Sequence, residues 1–395
     1  MDLKAAIAAK AAQLTPKIQD HRRYLHAHPE LSLHEYRTAA WVAARLKEMG
    51  LEPAMHVGGR GVTAVIAGAK GAQSGPGRTV ALRADMDALP IEESTDLPYK
   101  SKQAGVMHAC GHDGHTANLL GAAEILLDLK DSFTGRVKLL FQPAEEQHGG
   151  AAMMIEDGVL EGPHVDAIFA LHGWPDVPVG TLAHRSGPTM AAGDRFEITV
   201  TGKGSHAAFP HTGLNPIAAM ARLVTDLHSI PATRVPASES AVVSVSHIAA
   251  GQGIYNVIPH SGRMLGTFRT LTPEVRRLVG EEIRMRCTSL EALGFQVDCQ
   301  ILPGYPVTRN AAELEPLVAQ VLAEQLGATG VAVHPEASMG AEDFAFYGAK
   351  VPAYYLRLGL GERPNLHSPT FDFNDAALPT GMAALARLAV EYLER

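Results

Sequence analysis

Four runs of aliphatic and β-branched residues constrain this chain more than any other feature: VTAVIAG from Val62, RTVALRAD from Arg78, RVKLLFQPAEE from Arg136 and DAIFALHG from Asp166. Apolar residues fill both alternating faces of each run, as in strands covered on both sides, which belong to the interior of an α/β sheet. Helical patterns separate them. One, SLHEYRTAAWVAARLKEMG, is bounded by a candidate capping box in Ser32 and Glu35 and by Gly50 at its end. From about Gly187 the grammar changes. RFEITVTGKG leads to the helical NPIAAMARLVTDLHSI, then to SAVVSVSHIAAG and SGRMLGTFRT, a helix opened by Thr272 and Pro273, and FQVDCQIL. This β-α-β-β-α-β order is that of the ferredoxin-like unit. A chain of 395 residues exceeds the size at which single cores stop growing. The expected division is therefore residues 1–186, an inserted domain over 187–304, and a return to the first domain over 305–395, where helical ELEPLVAQVLAEQLGA and the strand pattern VPAYYLRLGL precede a terminal helix from about Asp375.

A formal charge of −8, without a cluster of Lys and Arg, carries no footprint for nucleic acid. The first residues scatter Lys4 and Lys10 through an amphipathic pattern, unlike the apolar core of a secretory signal, and no stretch is long enough to span a bilayer. Cys110, Cys287 and Cys299 are odd in number and far apart, so no disulfide framework is expected and a cytoplasmic, reducing compartment is.

The chemistry-bearing residues fall at the carboxyl ends of the expected strands: Asp85, the Glu145-Glu146 pair and His172. Ligands bind along that edge in open α/β sheets, so the fold could bring these residues together. HACGHDGH, residues 108–115, adds Cys110 and His112, and LHSPTFDF adds His367. Cys-x-His can supply a thiolate and an imidazole to one metal or a metal pair, but Cys110 could equally be a nucleophile or a buried bystander. Two adjacent carboxylates repel unless a cation holds them or one keeps a proton. Taken together, one thiolate, three imidazoles and one carboxylate would suit two borderline divalent ions, leaving the second carboxylate as a general base.

These segments, with HPELSLHE, LRADMDALP, LHGWP, GKGSHAAFPH, YNVIP, GTFRT and MGAEDFAFY in the same order, resemble the amidohydrolase and aminoacylase branch of the M20 metallopeptidases, which includes hippurate hydrolases. The resemblance implies a mixed-sheet, di-metal peptidase-like α/β domain with an inserted α+β ferredoxin-like lid and dimerisation domain. It implies Cys110, His112, Glu146, His172 and His367 as ligands of two divalent ions (Zn, Mn, Ni or Co), Glu145 as general acid/base, and Asp85 as an active-site aspartate orienting a ligand or its partner. Asn256 and Arg269 would hold a substrate carboxylate, and His206 would serve the site of the neighbouring subunit in a homodimer. Glu342 and Asp343 are expected to hydrogen-bond the ligands. Two departures, Arg83 where the wider family has a ligating histidine and Cys110 where many relatives have a carboxylate bridge, point away from aminopeptidases. The expected reaction is hydrolysis of the amide in an N-acyl amino acid, with dipeptide or carboxypeptidase substrates as the alternative. A metal-loaded, non-catalytic binder of acylated amino acids is the rival from another class.

Overall fold

The computed structural model describes residues 3–70, 77–327, 330–333 and 336–395. It divides into two compact units. The first comprises residues 1–187, 309–336 and 343–395, and the second residues 188–308 together with 337–342.

In the first unit, helices α1 (Leu3–Ala27) and α2 (Tyr36–Glu48) precede strands β1 (Ala54–Val57), β2 (Gly61–Ala67) and β3 (Thr79–Asp85). Helix α3 (His112–Asp128) leads to β4 (Arg136–Gln142), β5 (Ala167–Pro175) and β6 (Leu182–His184). With Val331–Val333 and Ala353–Gly361 these strands form one eight-stranded sheet, in the order β1-β2-β4-β3-β5-(353–361)-β6-(331–333). The middle pairs β4/β3, β3/β5 and β5/(353–361) are parallel, while β1/β2, β2/β4 and (353–361)/β6 are antiparallel. All seven residues of β3 are buried, as its unbroken apolar run requires of a strand covered on both faces. Helix α3 is buried almost all round and packs with α1 and the terminal helix Leu378–Leu393. The helical pattern ending at Leu326 was expected to reach Ala328, which lies outside the described residues.

Parallel pairing sets the carboxyl ends of β3, β4 and β5 at one edge. The capping box expected at α2 does not form: Glu35 sits at the N-cap without a side-chain bond to the helix. The Ser32 hydroxyl instead donates to Asp87 Oδ2 at 2.7 Å, and Glu35 Oε1 accepts from the Ala144 N–H at 2.8 Å.

The second unit is a four-stranded antiparallel sheet in the order 241–250, 261–270, 192–201, 296–302. Along Ser261–Thr270 buried and less buried residues alternate, as expected of a sheet covered on one face. Helices Pro216–His228 and Pro273–Glu291 cover it, burying Phe196, Ile198, Met220, Leu223, Met264, Phe268 and Ile283 in a separate core. Asn215 and Thr272 cap these helices through their side chains, each with proline in the first turn.

Candidate metal centre

The carboxyl edge of the large sheet carries the donors. Cys110 ends the loop before α3 and His112 opens the helix, with Gly111 between them at φ +90°, a conformation that costs glycine little. His112 Nδ1 lies 2.9 Å from the Asp87 carbonyl and 3.2 Å from Asp87 Oδ1. A carbonyl oxygen only accepts, so Nδ1 carries a proton and Nε2 is the nitrogen left for a metal once its own proton is displaced. His172, on β5, repeats the arrangement: its Nδ1 donates to the Gly173 carbonyl at 2.8 Å, leaving Nε2 3.4 Å from Cys110 Sγ. Glu146 Oε1 lies 3.9 Å from His112 Nε2 and 3.3 Å from His367 Nε2. The His367 loop is tied to the cysteine loop by its own N–H, which donates to the Ala109 carbonyl at 2.8 Å.

Three sets of donor atoms each lie within 4.8 Å of one another: Cys110 with His112 and His172, Cys110 with Glu146 and His367, and His112 with Glu145 and Glu146. Cys110 belongs to two of these sets, and so does His112.

The electrostatics call for a cation. Burial, and then the carboxylates of Glu146, Glu145 and Asp85, push the Cys110 thiol well above its ordinary range. As a nucleophile it would be a poor one, since reactive thiols sit in electropositive surroundings. Burial opposes a charge on His112, but Asp85, Asp87 and Glu146 outweigh it and raise the imidazole to about 10. Burial and the neighbouring imidazoles of His115 and His112 lower His172 well below its usual value. His112 Nε2 is buried without a hydrogen-bond partner. A mixed thiolate, imidazole and carboxylate set around such an atom fits one or two divalent ions of the zinc, manganese, nickel or cobalt type.

A fourth set of donors, Asp85, His112 and His115, is a wall of the site. His115 Nε2 accepts the Gly173 N–H at 2.7 Å, so its Nδ1 carries the proton that Asp85 Oδ1 accepts at 2.6 Å. Asp85 also accepts from Arg83 Nη1 at 2.6 Å, and Arg83 reaches Asp343 at 2.8 Å and the Gln142 side chain at 2.8 Å. Asp85 and Asp343 therefore both meet Arg83; Asp85 Oδ2 stands 3.8 Å from His112 Nε2, and the carboxylate on the Nδ1 side of that ring is Asp87's. Asp87 also accepts the N–H groups of Glu145 and Glu146 at 3.1 and 3.0 Å. Its weight was missed in RADMD, where two aspartates two residues apart are indistinguishable without the fold, as was that of His115 and Gln142, and Arg83, singled out as a departure, was not foreseen as the partner of Asp85. Asp113, next to His112, is pinned by Arg22 at 3.0 Å and His26 at 2.8 Å, and Arg22 also pairs with Asp372 in the His367 loop.

In the second unit, His206 and Asn256 are exposed and Arg269 is half-buried. A short antiparallel ladder, Val257 with His206 and Ile258 with Ser205, places Asn256 beside His206, and the Asn256 carbonyl accepts from the Ala207 N–H at 2.9 Å. His206 Nδ1 accepts the Ala208 N–H at 3.1 Å, which leaves Nε2 as the donor. The guanidinium of Arg269 lies over Gly193, where an added Cβ would stand 1.8 Å from Nη1. Glu342 belongs to this unit, and its carbonyl accepts from the Thr308 hydroxyl at 3.2 Å.

Residues 81–391 match Peptidase family M20/M25/M40. The chain is 40% identical to the N-acetylcysteine deacetylase of Bacillus subtilis over 378 residues, covering 94% of this chain and 96% of that one. It is 38% identical to thermostable carboxypeptidase 1 of Saccharolobus solfataricus over 403 residues, 99% of each. It is 37% identical to the hippurate hydrolase of Campylobacter jejuni over 377 residues, 94% of this chain and 96% of that one. The crystal structure of Bacillus subtilis YXEP protein, described as a dinuclear metal binding peptidase from the M20 family, superposes with a TM-score of 0.84 at 37% identity, covering 97% of this chain and 99% of that one.

Proposed function

The chain belongs to the M20/M25/M40 peptidase family and is a metal-dependent amidohydrolase, and from that premise we propose that it hydrolyses the amide bond of N-acyl amino acids. The observation that carries the reading is the convergence of Cys110, His112, Glu146, His172 and His367 at one sheet edge, with buried Glu145 on the same turn as Glu146. The five are proposed as the ligands of two divalent ions. Such ions, when bound, polarise a carbonyl and make water acidic enough to be deprotonated near neutral pH.

Glu145 takes the proton of the attacking water and returns it to the leaving amine. Asp87 fixes the backbone of that turn, while Asp85 and His115 wall the site through Arg83 and Gly173. The second unit is proposed to serve the substrate. Arg269 and Asn256 hold its carboxylate, and His206 donates from Nε2 to the oxyanion in the site of a second copy of the chain, as a homodimer. Acetylated and benzoylated amino acids are the first candidates, as the names of the Bacillus and Campylobacter relatives suggest. The carboxypeptidase relative, similar over the whole chain, supports peptides with a free C-terminus as a second class. Among the described residues no helix is long and apolar enough to cross a membrane, and a cytoplasmic setting, which keeps Cys110 reduced, is part of the proposal.

The test is amino-acid release from a panel of N-acyl amino acids, hippurate and N-acetyl-methionine included, and of dipeptides, after dialysis against chelator and resupply of single divalent metals. Turnover lost with the metal and restored by one ion supports the reading and identifies substrate class and ion together. Stoichiometric metal binding without turnover of any substrate counts against it and favours a non-catalytic binder.

A further inference from the structure

The turn that carries Glu145 and Glu146 is strained, and a residue outside the donor set holds it. Ala144 has φ +55°, a left-handed conformation that residues with a Cβ adopt when their surroundings enforce it. Three successive N–H groups of this turn meet carboxyl oxygens: those of Glu145 and Glu146 donate to Asp87, and that of Ala144 donates to Glu35 Oε1 at 2.8 Å. The far side of the turn is closed by Gly150, whose N–H donates to the Ala144 carbonyl at 3.1 Å and where a Cβ would stand 1.7 Å from the Pro143 carbonyl oxygen. Glu35 itself is fully buried, at a helix N-cap whose N–H groups it does not cap, and its Oε2 has no hydrogen-bond partner. Burying a carboxyl group this way is costly and unnecessary for starting a helix.

We propose that Glu35 is a positioning residue: its hydrogen bond from the Ala144 N–H holds the left-handed turn and thereby aims the Glu145 carboxylate. This rests on the proposed role of Glu145 as general acid/base. The acceptor oxygen does the positioning, and a negative charge is not required of it. Burial, and then Asp87, push the Glu35 carboxyl up to about 7, in keeping with a group used for its hydrogen bond.

The test compares metal-loaded wild type with Glu35→Gln, which keeps an acceptor, and Glu35→Met, which keeps the volume and removes it. In Glu35→Met, kcat is expected to fall about tenfold to hundredfold, the scale on which misplaced catalytic groups cost rate, with KM within about twofold and metal content unchanged. Glu35→Gln should retain kcat within about threefold. Adding Ala144→Gly to Glu35→Met, which lets residue 144 adopt φ +55° without steric cost, should restore part of the loss. Amide hydrogen exchange of the 143–146 segment, measured on the same proteins, should rise in Glu35→Met and not in Glu35→Gln. Wild-type kcat and exchange in Glu35→Met, or a Gln variant as impaired as the Met variant, would overturn the proposal. If the wild type hydrolyses no N-acyl amino acid, the functional reading fails separately. The exchange data then decide alone whether Glu35 holds the turn.

Discussion

Exposed His367 apart, the two units hold their candidate residues in different ways. In the first, His112 and His172 each have one ring nitrogen committed to a backbone carbonyl, and Asp85, Asp87 and His115 are buried in hydrogen bonds behind them. In the second, His206 and Asn256 are exposed, and Arg269 rests over a glycine. Metal ligation demands orientation within a few tenths of an ångström, which burial and neighbouring hydrogen bonds provide. Substrate contacts need only reach a molecule that arrives from solvent. If that division is correct, substitutions in the first unit should alter chemistry and metal affinity, and those in the second should alter turnover and substrate affinity while leaving metal affinity alone.

The largest effect is expected from Glu145→Gln. The amide cannot carry the proton, so kcat should fall by about 10³, within the span that general acid–base groups contribute, with metal content by elemental analysis unchanged. Residual turnover close to wild type would remove Glu145 from the chemistry and with it the contrast between the units.

Metal affinity offers a sharper separation because it titrates. Without an ion, His112, raised to about 10, holds a proton at neutral pH, and so does the Cys110 thiol, raised by burial and the acidic residues around it. Binding needs the imidazole lone pair and the thiolate, so both protons leave. Affinity should therefore weaken as pH falls, by about tenfold per displaced proton for each pH unit, roughly 10² for two. Competition with a chromophoric chelator between pH 6 and 8 measures the slope. Arg269→Ala and His206→Ala should reproduce it, and a flat profile would mean that Cys110 and His112 are not displaced by the ion.

The sequence was legible where a residue's role follows from its neighbours in the chain. Apolar runs such as TVALRAD place strands of the sheet, and the polar residues after them mark its carboxyl edge. The short strands Ala54–Val57 and Leu182–His184 carry no such run. Ser32 and Glu35 have the spacing of a capping box, and tertiary partners, Asp87 and the Ala144 N–H, claim both instead. His115 and Arg83 have no local signature, because their work is done across strands. Segment 337–342 clusters with the second unit although the chain has already returned to the first, a long-range pairing that no sequence pattern announces.

His206 tests the exposed side of the comparison. With Nδ1 accepting from the Ala208 N–H, its Nε2–H is available to a developing oxyanion. His206→Ala should lower kcat about 10²-fold, as loss of an oxyanion donor does, with wild-type metal content. If the donor comes from a second copy, mixing His206→Ala with Glu145→Gln protein should restore part of the activity, since some mixed pairs contain one site with both residues intact. No recovery on subunit exchange would confine His206 to its own chain or to no role.

Arg269 should give the smallest change, one confined to binding. Its guanidinium is half-buried and occupies space that exists only because residue 193 lacks a side chain. Burial lowers its affinity for a proton and Asp194 partly offsets this, yet an arginine keeps its charge at any physiological pH. A charge-assisted hydrogen bond to a substrate carboxylate is worth about 1.5–3 kcal/mol, so Arg269→Ala should raise KM roughly tenfold to hundredfold with little change in kcat. Gly193→Ala reaches the same contact by another route. The new methyl displaces the flexible end of Arg269 but also stands 2.9 Å from the Ala341 Cβ, which cannot swing aside, so some stability should be lost while the guanidinium leaves its place and KM rises by about the lower end of that range. Substrates whose carboxylate is replaced by an amide should lose sensitivity to both substitutions. An Arg269→Ala enzyme with unchanged KM for the acid and unchanged preference over the amide would leave the residue as a surface arginine on a strand. The comparison would then rest on His206 alone.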